Sequence, residues 1–213
     1  MKRLYSVITA LVLLCSWTAV SAQDMTEAQK KDLYELKIMV GDENGELNLD
    51  NGITRAEMVK MLCVAGNVDA GSHSAEFPDV AKEHWAYDFV CAAKEYGIAE
   101  GDENGNFNPE AAVTNEEAVK MAVSLLGYDV MAETIGGYPM GYNTTASRLG
   151  ITKDMQLVLG NAALRGDVGI MISNALDVPI MAKKDAAGDD EAYTVLDGKN
   201  GSELETLRIR MSK

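Results

Sequence analysis

The sequence repeats itself with a period of 60 residues. Gly-Asp-Glu-Asn-Gly at 41–45 recurs at 101–105, and the alignment continues on both sides without a gap. The matched pairs include Ile38 with Ile98, Leu47 with Phe107, Thr54 with Thr114, Glu57 with Glu117, and Lys60 with Lys120. Self-similarity at a fixed period is typical of proteins built from stacked supersecondary units. The sequence therefore predicts a repeat protein in which each unit is a helix, an acidic turn-rich loop and a second helix.

The second helix of each unit is predicted to begin at a capping box. Thr54 places a hydroxyl at the N-cap and Glu57 places a carboxylate three residues later, so that each satisfies an otherwise unpaired backbone amide. Thr114 and Glu117 repeat this pattern. Apolar residues follow at helical spacing. We therefore expect second helices over about 55–66 and 115–127.

A third, more divergent unit follows. The stretch 138–150 is predicted to be its first helix, and Arg165 to Leu176 its second. Leu164-Arg165-Gly166-Asp167 stands where the capping box is expected, with the hydroxyl lost and the Arg and the acid retained. The predicted units are 23–70, 71–130 and 131–182.

The N-terminus has the composition of a secretory signal. Lys2 and Arg3 precede an apolar run over 4–20, small residues lead up to Ala22, and the first 22 residues contain no acid. This pattern predicts export, with cleavage after Ala22. An N-terminal membrane anchor is the alternative, although the run is at the short end for a bilayer span.

The C-terminal segment, 183–213, differs in composition from the repeats. Residues 183–191 are predicted to be a linker, and 192–196 and 205–211 are predicted strands joined by the turn-prone 197–201. A lone hairpin is marginally stable in water. It would therefore pack on the helical units, pair with another chain, or remain mobile.

Composition excludes several classes of function. A formal charge of −14 argues against nucleic acid as a partner, because phosphates require a basic surface. Counted from Asp42, the acidic loop lacks the Gly at position six and the acid at position twelve of an EF-hand calcium site. No catalytic triad, phosphate-binding loop or metal-ligand spacing occurs, so no cofactor is expected and the protein is not expected to be an enzyme. After the signal, Cys63 and Cys91 could form a disulfide or remain buried free thiols.

Several motifs resemble the S-layer homology (SLH) domain family. They are Phe77-Pro78-Asp79-Val80, His84-Trp85-Ala86, and Ile53-Thr54-Arg55-Ala56-Glu57. The resemblance implies a mainly α pseudo-threefold unit made of a central three-helix bundle and three prong helices, with the short C-terminal β-hairpin added. It places the first helices (26–38, 84–97 and 138–149) in the bundle and the second helices (55–66, 115–127 and 165–177) at the prongs.

The resemblance also implies a function. Grooves between the prongs of this family hold a secondary cell-wall polysaccharide that bears pyruvate ketals, so the expected role is non-covalent anchoring at the cell wall of a Gram-positive-type bacterium. A helix N-terminus and an Arg fork are both suited to a ketal carboxylate. The candidate ligand-binding residues are Arg55, Arg165, Trp85, Asp79, Thr54 and Glu57. Self-association in a surface layer is a further expected interaction, and no membrane span is expected after cleavage.

Each candidate also has a purely structural interpretation. Thr54 and Glu57 could act only as caps, Arg55 and Arg165 could pair with loop acids, and Trp85 could be a packing residue. Asp79 is expected to cap the 84–97 helix while also lining the groove.

The units are not equivalent, because the second has Asn115-Glu116 in place of Arg-Ala. We therefore expect the most complete groove to combine Arg55 with the Trp85 segment. The alternative function is a cell-surface adaptor that recruits a protein through the C-terminal hairpin, with the repeats purely structural.

Overall fold

The computed structural model describes residues 22–71, 76–184, 192–195 and 204–212. The predicted signal lies outside this part of the chain except for Ala22. The elements are α1 Glu27–Glu35, α2 Arg55–Ala65, α3 Tyr87–Glu95, α4 Asn115–Leu125, α5 Asp129–Thr134, α6 Met140–Arg148, α7 Arg165–Ala175, β1 Met181–Lys184, β2 Ala192–Val195 and α8 Leu207–Met211. Every helix within the described ranges is too short or too polar to cross a bilayer.

A closed ring of three backbone hydrogen bonds marks the pseudo-threefold axis. The Ile53 amide donates to the Ala163 carbonyl at 3.1 Å, Ala163 donates to Val113 at 2.8 Å, and Val113 donates to Ile53 at 3.1 Å. Each of these residues precedes the N-cap residue of the second helix of its unit, and all three side chains are buried. The three units therefore meet at a set of isolated antiparallel β-bridges, and α2, α4 and α7 start directly after it.

The mainly α fold class with a short hairpin is confirmed, but the expected positions of the helices are exchanged. The second helices α2, α4 and α7 pack against one another at the centre, and we call them the inner helices. The first helices pack outside them, α3 on α2, α6 on α4 and α1 on α7, and we call them the outer helices.

Burial explains the exchange of positions. In α2, seven of the 11 residues are buried, whereas in α1 Leu33 is the buried residue. A helix that is apolar around most of its circumference is stable only when surrounded by other elements. The apolar content of the second helices thus places them inside.

The repeated acidic loops are held by their first carboxylate. Asp42 accepts hydrogen bonds from the amides of Asn44 and Glu46 at 2.8 and 3.0 Å, and from the Asn48 side chain at 3.1 Å. Asp102 makes the same three bonds in the second unit. Such Asx-type bonds stabilise tight turns, so the recurrence of this loop sequence in two units has a structural cause.

The predicted capping boxes are confirmed. The Glu57 amide donates to Thr54 Oγ1 at 3.2 Å, and the Thr54 amide donates to Glu57 Oε2 at 2.9 Å. Thr114 and Glu117 form the same pair of bonds. At α7 the N-cap residue Leu164 makes no side-chain capping bond.

The tail differs from its prediction in which residues pair. β1 pairs antiparallel with β2, Met181 opposite Val195, and β1 extends two residues into the predicted linker. The prediction of a strand over 205–211 is wrong, because Thr206 caps the helix α8 and Leu207 is buried. The predicted turn at 197–201 lies outside the described residues.

Both cysteines of the repeats are free thiols in buried positions. Cys63 Sγ lies 3.6 Å from the Phe89 carbonyl on the neighbouring helix. Burial raises the pKa of the Cys63 thiol to about 12, so it is protonated and unreactive at neutral pH. Of the two sequence alternatives, the structure has the buried free thiols.

Candidate functional site

The first candidate groove opens beside Arg55 and has a volume of about 420 Å³. It lies between the start of α2, the acidic loop of the second unit and the exposed face of α4. Besides Arg55 its functional lining residues are Glu100, Asp102, Glu117, Lys120 and Tyr138. We call it the Arg55 groove.

Arg55 joins two units as well as bordering the groove. Its Nε donates to the Phe107 carbonyl at 2.8 Å and its Nη2 donates to the Glu100 carbonyl at 2.9 Å. Its Nη1 lies 3.8 Å from Glu117 Oε1, and the side chain is 13% exposed. Two carbonyls of the second unit thus fix the guanidinium, and its Nη1 atom points towards the Glu117 carboxylate.

Lys120 and Tyr138 supply a cation and an aromatic face. Lys120 Nζ lies 3.2 Å from Glu100 Oε2 and 5.9 Å from the centroid of the Tyr138 ring. Tyr138 is 48% exposed. Partial burial, together with the charges of Glu116 and Glu117, raises the pKa of Tyr138, so its hydroxyl remains protonated and able to donate at neutral pH. An aromatic face beside a cation suits a sugar ring that carries an acid.

The start of the third inner helix reproduces this arrangement. Arg165 Nε donates to the Leu47 carbonyl at 3.0 Å, and its Nη1 lies 3.7 Å from Glu57 Oε1. Lys60 Nζ lies 5.7 Å from the centroid of the Trp85 ring, which is 53% exposed. We call this set of side chains the Arg165 groove, because its Arg, acid, Lys and aromatic ring correspond to those that border the Arg55 groove.

The expected combination of Arg55 with Trp85 is wrong. Trp85 lies against Lys60, and Lys60 follows Glu57 by one helical turn, so the two share one face of α2. Glu57 pairs with Arg165. Tyr138 lines the Arg55 cavity, and Trp85 does not. Each aromatic residue lies in the turn two residues before the outer helix that follows the inner helix bearing the Lys, Trp85 before α3 and Tyr138 before α6.

The third groove has a different chemistry. It measures about 180 Å³, and none of the described residues that line it is Arg or Lys. Asn115 replaces the Arg and donates its Nδ2 to the Val158 carbonyl at 2.9 Å, while its Oδ1 is buried without a hydrogen-bond partner. Asp167 takes the place of Glu57 and Glu117. As the sequence predicted, the second unit has no cationic side chain at the position of Arg55 and Arg165, because Asn115 stands there.

The inner-helix amides are not available to a ligand, contrary to the expectation of a free helix N-terminus. The Arg55 and Ala56 amides donate to the Ala111 and Pro109 carbonyls at 3.0 and 2.9 Å. The Arg165 amide donates to Asn51 in the same way. Loop carbonyls of the next unit satisfy these donors, so an anion in the groove would be met by side chains.

Asp79 does not cap the third helix. Its two carboxylate oxygens accept the Phe107 and Asn108 amides at 2.8 and 2.6 Å. The N-cap residue of α3 is Ala86, and it makes no side-chain capping bond. Asp79 therefore supports the wall of the Arg55 groove from behind. Thr54 and Glu57 act as caps, and the second oxygen of Glu57 also faces Arg165.

Lys60, Lys120, Tyr138 and Glu117 were not among the sequence candidates. The repeat alignment pairs Lys60 with Lys120 within the otherwise apolar stretches 58–65 and 118–123, and that polar position was the available signal. Tyr138 was missed because its correspondence with Trp85 depends on where the outer helices begin: each aromatic residue stands two positions before its helix. The described residues contain no group of three or more His, Cys, Asp or Glu side chains arranged to hold a metal ion.

The units form a ring, and two of them have an acidic loop and a capped inner helix. This is the architecture expected of a repeat module that presents grooves between its units. Residues 31–59 and 76–119 match the family model of the S-layer homology domain. The chain is therefore an S-layer homology domain protein.

Relatives agree with this family. The Middle cell wall protein of Brevibacillus brevis is 34% identical over 170 residues, 78% of this chain and 16% of that protein. The Cell surface protein of Thermoanaerobacter kivui is 28% identical over 197 residues, 85% of this chain and 25% of that protein. The Surface layer protein of Brevibacillus choshinensis is 30% identical over 189 residues, 81% of this chain and 16% of that protein. The chain thus spans a quarter or less of the length of these relatives.

Proposed function

We propose that this protein anchors non-covalently to the cell wall by binding an anionic, pyruvylated secondary cell-wall polysaccharide in the Arg55 and Arg165 grooves. It is a cell-surface protein of the wall. The third unit serves as a third, divergent SLH repeat that completes the ring. Binding is non-catalytic.

The observation that supports this proposal most is the recurrence of one set of groups in two grooves. Arg55, Glu117, Lys120 and Tyr138 correspond to Arg165, Glu57, Lys60 and Trp85. Fold maintenance alone does not require a Lys beside an exposed aromatic ring in both places. A ligand with a carboxylate on a sugar ring uses both elements.

Local charge explains how so acidic a protein would bind an anion. The chain carries a formal charge of −14, which repels a polyanion at long range. In each groove the Lys ammonium and the Nη1 edge of the Arg would face the ketal carboxylate at close range. An Arg can offer a fork of two donors to a carboxylate. The neighbouring Glu keeps the Arg in place when the groove is empty.

The test uses purified wall sacculi before and after chemical removal of the secondary polymer. The wild-type protein is expected to sediment with intact sacculi and to remain in solution with stripped ones. Lys60→Ala combined with Lys120→Ala should weaken sedimentation at least about tenfold, the equivalent of losing about 1.4 kcal/mol. Lys31→Ala is the matched control, because Lys31 is exposed on α1 away from the grooves.

Equal sedimentation with intact and stripped sacculi would contradict the proposal. An unchanged affinity of the double Lys variant would refute the assignment of the grooves while leaving wall binding in place.

The adaptor alternative has one observation in its favour. The β1–β2 sheet has two strands, and neither outer edge is covered by a further strand among the described residues. An uncovered strand edge can accept an added strand from a partner. Deleting 183–213 would then abolish binding of a protein partner and leave wall binding unchanged.

A further inference from the structure

The N-terminal segment of the mature chain runs directly into the third groove. The backbone amide of Gln23 donates to Asp167 Oδ1 at 3.0 Å, and that of Ala22 donates to Asp50 Oδ1 at 2.8 Å. Gln23 and Asp167 both line the groove, together with Asn115. The bond predicted to be cut on export, Ala22–Gln23, therefore lies at its rim.

The acid that lines this groove, Asp167, has no matching cation among the described lining residues. Asp167 occupies the position that Glu57 and Glu117 occupy in the other grooves, where each faces an Arg. No Arg or Lys is present among the described residues that line the third groove. Burial and the nearby charge of Asp50 raise the pKa of Asp167, as expected where a carboxylate lacks a positive partner.

A second, independent feature also points to a missing donor. Asn115 is 6% exposed, and its Oδ1 is buried without a hydrogen-bond partner. A buried acceptor left unpaired is costly, and such groups are rare in folded proteins. The groove is thus short both of positive charge and of a hydrogen-bond donor.

We propose that the α-ammonium group of Gln23, created when the signal is removed, is the cation of the third groove and pairs with Asp167. Cleavage converts a neutral amide with one N–H into a charged group with three. With an ordinary pKa of about 7.7–8.0, the group is largely protonated at neutral pH. It takes the role that the guanidinium has in the other two grooves.

The chain on either side holds this group in place. The Gln23 side-chain amide satisfies its neighbours when its nitrogen faces Asp154 and its oxygen faces Gln156. In that orientation it donates to the Asp154 carbonyl at 2.5 Å and accepts from the Gln156 amide at 2.7 Å. Two residues on, the Met25 side chain is buried, and Thr26 caps α1. The new terminus is therefore tied to the third unit on one side and to the first unit on the other.

The proposal makes the ion pair of the third groove a consequence of export. The precursor presents an amide at Asp167, and the processed chain presents an ion pair. The inference depends on the predicted cleavage site and not on the identity of the wall ligand. It can therefore fail or succeed separately from the proposed function.

The first test is the N-terminal sequence of the protein recovered from its natural surface. It is expected to begin at Gln23, and a start at any other residue would overturn the proposal. The second test removes the charge with glutaminyl cyclase, which converts an N-terminal Gln to neutral pyroglutamate. The cyclised protein is refolded and compared with uncyclised protein treated in the same way.

Cyclisation should lower the Tm by about 2–4 °C, the shift typical of losing one moderate interaction in a chain of this size. The decrease should be smaller in Asp167→Asn and retained in the control Asp50→Asn, because a double-mutant comparison isolates the pairwise term. Equal decreases in wild type and Asp167→Asn would overturn the proposal. A further measurement, which needs no variants, is the rate at which Gln23 cyclises spontaneously. This rate is expected to be slower in the folded than in the urea-unfolded protein, and equal rates would also overturn the proposal.

Discussion

Arg165 of the third unit places its Nη1 3.7 Å from Oε1 of Glu57 in the first unit. The same Arg donates to the Leu47 and Val40 carbonyls of the first unit. One side chain thus closes the ring of units and borders a groove. Under the proposed function, stability and binding are therefore coupled at the two Arg positions and separable at Lys60 and Lys120.

Arg165→Ala is expected to destabilise the fold by about 1–2 kcal/mol, because the loop carbonyls of Leu47 and Val40 lose their donor. The measurement is urea unfolding followed by circular dichroism. Arg165→Lys should restore part of the stability, since one ammonium cannot reproduce the fork of the guanidinium. A midpoint for Arg165→Ala equal to that of the wild type would show that the ring closes without this contact.

The assignment of Trp85 to the Arg165 groove can be tested by mutant cycles with a short fragment of the wall polymer. Trp85→Ala and Lys60→Ala alter one groove, so their effects on affinity should not be additive. Trp85→Ala and Lys120→Ala alter different grooves, and their free-energy changes should add to within about 0.5 kcal/mol. Isothermal titration provides both comparisons, and the reverse pattern would place Trp85 beside Arg55.

Gly127 should be essential for docking of the hairpin. Its φ is +81°, and a Cβ there would lie 1.9 Å from the Met181 carbonyl oxygen. Gly127→Ala is therefore expected to cost about 1 kcal/mol from the positive φ and about 1–3 kcal/mol more from displacement of β1. Gly150→Ala is the matched control, because Gly150 has φ +78° with open space around it. Equal losses of unfolding free energy in the two variants would show that β1 is not packed against Gly127.

The acidic loops should make stability depend on pH in the acid range. The Asn108 side chain, followed by the Asn106 amide, holds the pKa of Asp102 below its ordinary value of 3.8. The folded carboxylate therefore remains charged where the unfolded one is already protonated. The resulting stabilisation is complete above the ordinary pKa and is lost as the pH falls through the folded pKa.

Urea unfolding from pH 5 down to pH 2 measures this effect. Asp102→Asn should show a shallower decline in stability than the wild type, and Asp42→Asn should behave alike, because Asp42 has the same partners and a pKa lowered in the same direction. Slopes identical to the wild type in both variants would contradict the role given to these carboxylates.

Sequence patterns predicted the local structure of the repeats well. The hydroxyl and the carboxylate of each capping box lie within one helical turn, so their hydrogen bonds depend on few residues, as at Thr54 and Glu57. The turns around Asp42 and Asp102 are local for the same reason.

Relations between units were not predictable from the sequence in this way. The pairing of Arg165 with Glu57 joins residues 108 positions apart, and the place of Trp85 depends on which inner helix carries its outer helix. The tail was mispredicted for a similar reason, because burial of Leu207 against the helical body favours a helix over the strand that its local sequence favours.

The most direct test of wall anchoring is titration of the mature protein with the isolated secondary polymer, before and after mild acid removes the pyruvate ketals. We expect the intact polymer to bind, and binding to weaken at least about tenfold when the ketal carboxylates are removed, a loss of about 1.4 kcal/mol or more. Lys31→Ala should titrate like the wild type in both cases. Equal affinity for the two forms of the polymer would contradict the account, because the cations of the Arg55 and Arg165 grooves would then have no anion to recognise.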